Sequence, residues 1–135
     1  MIEVVTRQRK TKIDNKAWET FAARAAGAIG KSDSSATIAF VSDKTIRQLN
    51  RQFRGVDKAT DVLSFPADED ESNLGDIAIS VDTAARQARE NGLTFDEEVA
   101  QLILHGLLHL SGYDHETDNG EMNSLELRMR RKLGI

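Results

Sequence analysis

The spacing of apolar residues changes several times along the chain, and each change marks an element. Residues 2–5 read as a short strand. Asp14 or Asn15 can cap a helix running through Ile29, with Trp18, Phe21, Ala22 and Ala25 at helical spacing and Gly30 as its stop. Residues 36–41 form a strand that places Ile38 and Phe40 on one face. Ser42 or Asp43 then opens a helix ending near Gly55, with Ile46, Leu49 and Phe53 as its apolar stripe. Residues 62–65 and 77–81 read as two further strands, separated in part by four consecutive acids at 68–71 that suit a solvated loop. Asp82 is the expected cap of a helix stopped at Asn91 and Gly92. Thr94 with Glu97 matches a capping box for a helix to about Ser111, with Gly112 as a left-handed stop. Asp118 with Glu121 indicates one more helix start, followed by Met122, Leu125, Met129 and Leu133 on one face. Strands mixed with helices in this irregular order indicate an α/β or α+β sandwich.

At 135 residues, one domain is the expectation. There are no cysteines, so any metal must be held by histidine or carboxylate. The first ten residues lack the apolar run of a signal peptide, and no stretch has the length of a membrane span; a soluble cytoplasmic protein is expected. The net charge of −4 conceals an uneven distribution. Residues 1–60 hold 12 Lys/Arg against 6 Asp/Glu, residues 61–127 hold 2 against 16, and residues 128–135 hold 4 against none. The basic ends could serve an anionic partner, although charge alone fits an ordinary mixed surface.

All three histidines fall in the eleven residues 105–115, HGLLHLSGYDH. At about 100° per residue, His105 and His109 lie about 40° apart on one helix face and can converge on one ion. Val99, Leu102, Ile103, Leu104, Leu107, Leu108 and Leu110 cover most of the remaining circumference, so this helix should be buried on nearly every side. Imidazoles on such a helix need partners, and a shared cation supplies one. Gly112 lets the chain turn so that His115 can return as a third ligand. Three imidazoles suit zinc, with nickel or another late first-row ion as alternatives, and three protein ligands leave a position open for chemistry.

The same spacing occurs in the metzincin proteases, with one difference. Those enzymes carry a glutamate as general base directly after the first histidine; here the residue is Gly106. Peptide hydrolysis is thereby disfavoured unless Asp61, Asp76 or Asp114 takes that role. Arg47, Arg51 and Arg54 share a face of the second helix and could contact successive phosphates, with Arg54 best placed to reach out because it ends the helix at Gly55. A solvated basic face near a helix C-terminus explains the same spacing.

Residues 105–115 resemble the signature of the YbeY family of bacterial endoribonucleases. Residues 53–66, FRGVDKATDVLSFP, are similar to the family's second block, and residues 74–80, LGDIAIS, to a third. The resemblance implies an α+β fold, a small mixed four-stranded sheet with about five helices around a central metal-binding helix. It implies zinc on His105, His109 and His115, an essential arginine at Arg54, and cleavage of single-stranded RNA in 16S ribosomal RNA 3′-end maturation and ribosome quality control. Implied partners are ribosomal RNA, the ribosome and assembly factors such as the GTPase Era; a monomer is expected. Ala59 departs from the proline usual in the second block, without touching a ligand or a charge. Arg47 and Arg51, with Arg128, Arg130, Arg131 and Lys132, are candidates for guiding the strand, and Asp76 or Asp114 for orienting a liganding imidazole. The competing expectations are a zinc protease or other metal-dependent hydrolase, and a non-catalytic ribosome-assembly module with a structural metal.

Overall fold

Strand β1 (Ile2–Thr6) leads through helix α1 (Asn15–Ala28) to β2 (Ser35–Val41), and α2 (Asp43–Arg54) to β3 (Val62–Pro66). Then come β4 (Asn73–Ser80) and three successive helices, α3 (Val81–Glu90), α4 (Phe95–Leu110) and α5 (Glu121–Leu133). The computed structural model describes residues 1–67, 72–113 and 120–135. The sheet order is β1-β2-β4-β3, with β1, β2 and β4 parallel and β3 antiparallel to β4. The fold is the expected α+β arrangement of a mixed four-stranded sheet and five helices.

The sheet has unequal coverings. Ile38 and Phe40 of β2 with Ile77 and Ile79 of β4 face the main core, which α1, α3, α4 and α5 close. The opposite face carries a smaller core in which Ile46 of α2 meets Val41, Leu63 and Ala78. Strand alternation therefore directs Ile77 toward α4 and its neighbours Asp76 and Ala78 away from it. Helix α4 lies in the middle of the main core. From Glu98 to Leu110 every residue is buried except Gln101, His105 and His109, which recur every four residues and form one semi-exposed stripe.

Most predicted starts and stops hold. Asp14 caps α1, Ser42 caps α2, and Gly55 ends α2 in the left-handed conformation at φ 70°. Thr94 and Glu97 make the reciprocal capping box of α4. Two expectations need correction. The cap of α3 is Ser80, whose hydroxyl accepts from the Thr83 amide. Asp82 instead accepts from the Asp43 amide at 2.8 Å and pairs with Lys10. Helix α5 starts at Glu121, and Asp118 lies outside the described residues, as do the acids at 68–71. Phe53 does not complete the buried stripe of α2; it stands 59% exposed, with its ring edge to face against Phe65.

Candidate metal centre and nucleic-acid cleft

The capping box starts α4 in a fixed phase, and that phase turns His105 and His109 out of the core together. Their Nε2 atoms are 3.0 Å apart, with the rings edge to face at a centroid distance of 4.6 Å. Two imidazole nitrogens at about 2.0–2.1 Å from one tetrahedral zinc would be roughly 3.4 Å apart. The observed separation is close to this, so the pair fits a shared cation. The other nitrogen of His105 is also engaged. Nδ1 stands 3.2 Å from Oε1 of Glu126, a side chain only 7% exposed. With Nδ1–H donating to the carboxylate, Nε2 of His105 presents its lone pair toward His109.

His115, the expected third ligand, lies outside the described residues, as does Asp114. Among the described residues, no group of three His, Cys, Asp or Glu side chains is placed to hold an ion. His105 and His109 are the two candidate ligands whose geometry is on view.

Arg54 shares a cleft with them. A cavity of 770 Å³ is lined by Arg54, Thr60, Ser64, Phe65, His105 and His109 among others. The guanidinium comes from α2 on one side of the sheet and the imidazoles from α4 on the other, and edge strand β3 lies between. Among the described residues no carboxylate pairs with Arg54. Arg47, on the same helix, is held by Asp57 through two hydrogen bonds of 2.8 and 3.1 Å. These raise the Arg47 pKa and lower that of Asp57, keeping both charged. Arg47 and Arg54 therefore divide: Arg47 is committed to a local pair, and Arg54 faces the cleft. Phe53 and Phe65 pack edge to face at 5.2 Å on the cleft wall, so an exposed aromatic surface stands beside Arg54.

A second cavity, 610 Å³, adjoins the other side of His105 and is lined by Asp61, Glu98, Gln101, Glu126 and Arg130 among others. Burial, with the Asp61 carboxylate second, pushes Glu98 above the ordinary carboxylate range, although Arg130 draws it down. Gln87, with its amide nitrogen turned inward, donates to Glu98 at 2.9 Å and to Asp61 at 3.0 Å. Asp61 also accepts from the Val62 amide at 2.7 Å.

Of the acids considered for a role beside the histidines, Asp61 lines the cleft. Asp76 points to the opposite sheet face and cannot orient either imidazole. The residue that does so is Glu126. Its position was readable in outline: Met122, Glu126, Met129 and Leu133 form one buried face of α5, and a carboxylate on such a face requires a partner.

Comparisons with known proteins identify the family. The family described as Endoribonuclease YbeY matches residues 3–134. The protein named Endoribonuclease YbeY from Koribacter versatilis is 46% identical over 132 residues, covering 98% of this chain and 86% of its own. Its counterpart from Aquifex aeolicus is 44% identical over 121 residues, covering 87% and 81%. The solution structure of TM1509 from Thermotoga maritima is similar with a TM-score of 0.69 at 30% identity, covering 98% of this chain and 89% of that one. A matched family over nearly the whole chain, relatives at these identities and a common fold together place the chain in the YbeY endoribonuclease family.

Proposed function

We propose that this protein is a metal-dependent endoribonuclease that hydrolyses phosphodiesters of single-stranded RNA in the cleft between Arg54 and the histidine pair. The observation that carries the reading is the sharing of one cleft by the Arg54 guanidinium, which has no carboxylate partner among the described residues, and two convergent imidazole nitrogens. Arg54 binds non-bridging phosphoryl oxygens and stabilises the charge that builds on them. His105, His109 and His115 hold a single divalent ion of the zinc class, with nickel as the alternative. When bound, such an ion supplies Lewis acidity and lowers the pKa of water toward neutrality. Glu126 keeps His105 in the tautomer that leaves Nε2 available. Phe53 offers a ring for base stacking without sequence preference.

Family membership supports a place in ribosomal RNA processing: 3′-end maturation of 16S RNA and ribosome quality control, with the ribosome and assembly factors such as Era as partners. Among the described residues no helix is long and apolar enough to cross a membrane; the cytoplasmic site of action rests on the ribosomal role proposed above. The protease alternative meets a steric obstacle at Gly106, since a Cβ there would stand 2.9 Å from Ile77 Cδ1.

The experiment is metal analysis paired with cleavage of an unstructured RNA, using wild type, His105→Ala and Arg54→Glu. Wild type should carry about one metal equivalent and cut RNA in a chelator-sensitive manner. His105→Ala should lose both properties, and Arg54→Glu should lose cleavage alone. A wild type that binds RNA without ever cutting it would replace this reading with a non-catalytic assembly module.

A further inference from the structure

The edge of β3 lines the cleft, and among the described residues few of its outward main-chain donors are unoccupied. The ladder to β4 runs through odd-numbered residues: Ser80 N–H donates to Asp61 C=O at 2.9 Å and Ala67 N–H to Leu74 C=O at 3.1 Å, in the register that pairs Leu63 with Ala78 and Phe65 with Asp76. In an antiparallel ladder the alternate residues point their backbone groups the other way. Val62, Ser64 and Pro66 therefore direct theirs out of the sheet, along the wall of the cavity that contains Arg54 and the histidines. Val62 N–H is occupied by the Asp61 carboxylate. Pro66 has no N–H, as suits an edge strand. Among the described residues one main-chain donor is left on this edge: the amide of Ser64.

The Ser64 side chain is on the same side of the problem. Ser64 is opposite Ile77, so its hydroxyl lies on the sheet face covered by α4, and it too lines the cavity. Among the described residues neither the amide nor the hydroxyl of Ser64 has a hydrogen-bond partner. The neighbouring hydroxyl of Thr60 is already donated to Asp61 at 3.3 Å.

We infer that Ser64, through its main-chain N–H and its hydroxyl, is a phosphate-binding residue that fixes an RNA phosphodiester between Arg54 and the histidine pair. This inference rests on the nuclease reading above. The ligand class follows from the surroundings: a lone amide donor flanked by a guanidinium and two imidazoles suits an anionic oxygen. An extended peptide is a poor fit, because strand addition needs donors at successive outward positions, and here Val62 is capped and Pro66 has none.

The test uses the full-length zinc-loaded protein and a short 2′-O-methyl oligonucleotide, which presents phosphodiesters but resists cleavage. In a ¹⁵N-labelled sample the Ser64 amide proton should move downfield on titration, in step with the Arg54 side-chain signal. Binding with an unmoved Ser64 amide overturns the assignment, as does an oligonucleotide that fails to bind. Ser64→Pro removes the donor at a position where an edge strand tolerates proline. It should weaken oligonucleotide binding on the order of 10- to 100-fold, the loss of a charge-assisted bond. Ser64→Ala, which keeps the amide, should lose much less. A folded Ser64→Pro protein that binds like wild type overturns the assignment, and should that variant not fold, the amide titration decides alone. A wild type whose Ser64 amide responds but which never cleaves RNA would sink the nuclease reading and leave the phosphate site standing.

Discussion

Gly106 of α4 lies against Ile77 of β4 so closely that a Cβ added to the glycine would stand 2.9 Å from Ile77 Cδ1 and 3.1–3.2 Å from its Cγ atoms. This contact seats the central helix on the sheet and leaves its neighbour His105 at the edge of the core. Alanine in mid-helix would ordinarily gain about 1 kcal/mol over glycine, but overpacking costs about 1–3 kcal/mol. Gly106→Ala should therefore be neutral to mildly destabilising. Gly106→Glu, which restores the protease pattern, should lower the melting temperature sharply and yield no peptidase activity. Thermal unfolding with a casein assay checks both; a stable Gly106→Glu protein would show that Ile77 yields easily.

Glu126 holds His105 from behind, and partners of this kind commonly contribute 10- to 100-fold to metal affinity. Glu126→Ala should weaken metal binding by about that factor, and Glu126→Gln by less, because its amide oxygen still accepts from Nδ1. Competition with a chromophoric chelator measures the affinities. Unchanged affinity in Glu126→Ala would mean that the carboxylate serves packing or Arg130 instead.

The arginines of α2 should separate by function. Arg54→Ala should reduce cleavage strongly with metal content and melting temperature unchanged. Arg47→Ala removes an exposed pair with Asp57 and should barely alter cleavage. Equal losses in the two variants would indicate a diffuse electrostatic effect of the whole helix face.

Glu98 supplies a pH test. Its pKa is raised in the folded protein, first by burial and then by Asp61. A raised carboxyl favours folding below its unfolded pKa, near 4.3, and that contribution fades as pH climbs through the folded value. Glu98→Gln should consequently be more stable than wild type at pH 8, with the advantage shrinking toward pH 4. Melting curves across that range decide the matter; a constant difference would show that Glu98 titrates normally.

Much of this architecture is legible in the residue pattern. The capping box of Thr94 and Glu97, the four-residue step from His105 to His109 and the apolar surround of α4 depend only on local spacing, and each is realised. The errors arise where two local solutions compete. Ser80 and Asp82 both suit a helix start, and the structure uses the first because Asp82 is drawn to the Asp43 amide. Asp76 suits the histidines by chemistry as one of two candidates, but its alternation with Ile77 puts it on the other sheet face. The partnership of Glu126 with His105 spans 21 residues, and a one-dimensional pattern can show that Glu126 needs a partner without showing which.

The cleft straddles the rim of the sheet, with its cationic arm anchored in the small core around Ile46 and Leu63 and its imidazoles anchored in the large one. The two anchors can therefore drift independently over generations. A change of volume at Ile46 or Leu63 resets the gap between guanidinium and imidazoles without disturbing the ion's own ligands. Substrate preference is thus adjustable from the small core behind the cleft wall, whose residues are not among the ion's ligands.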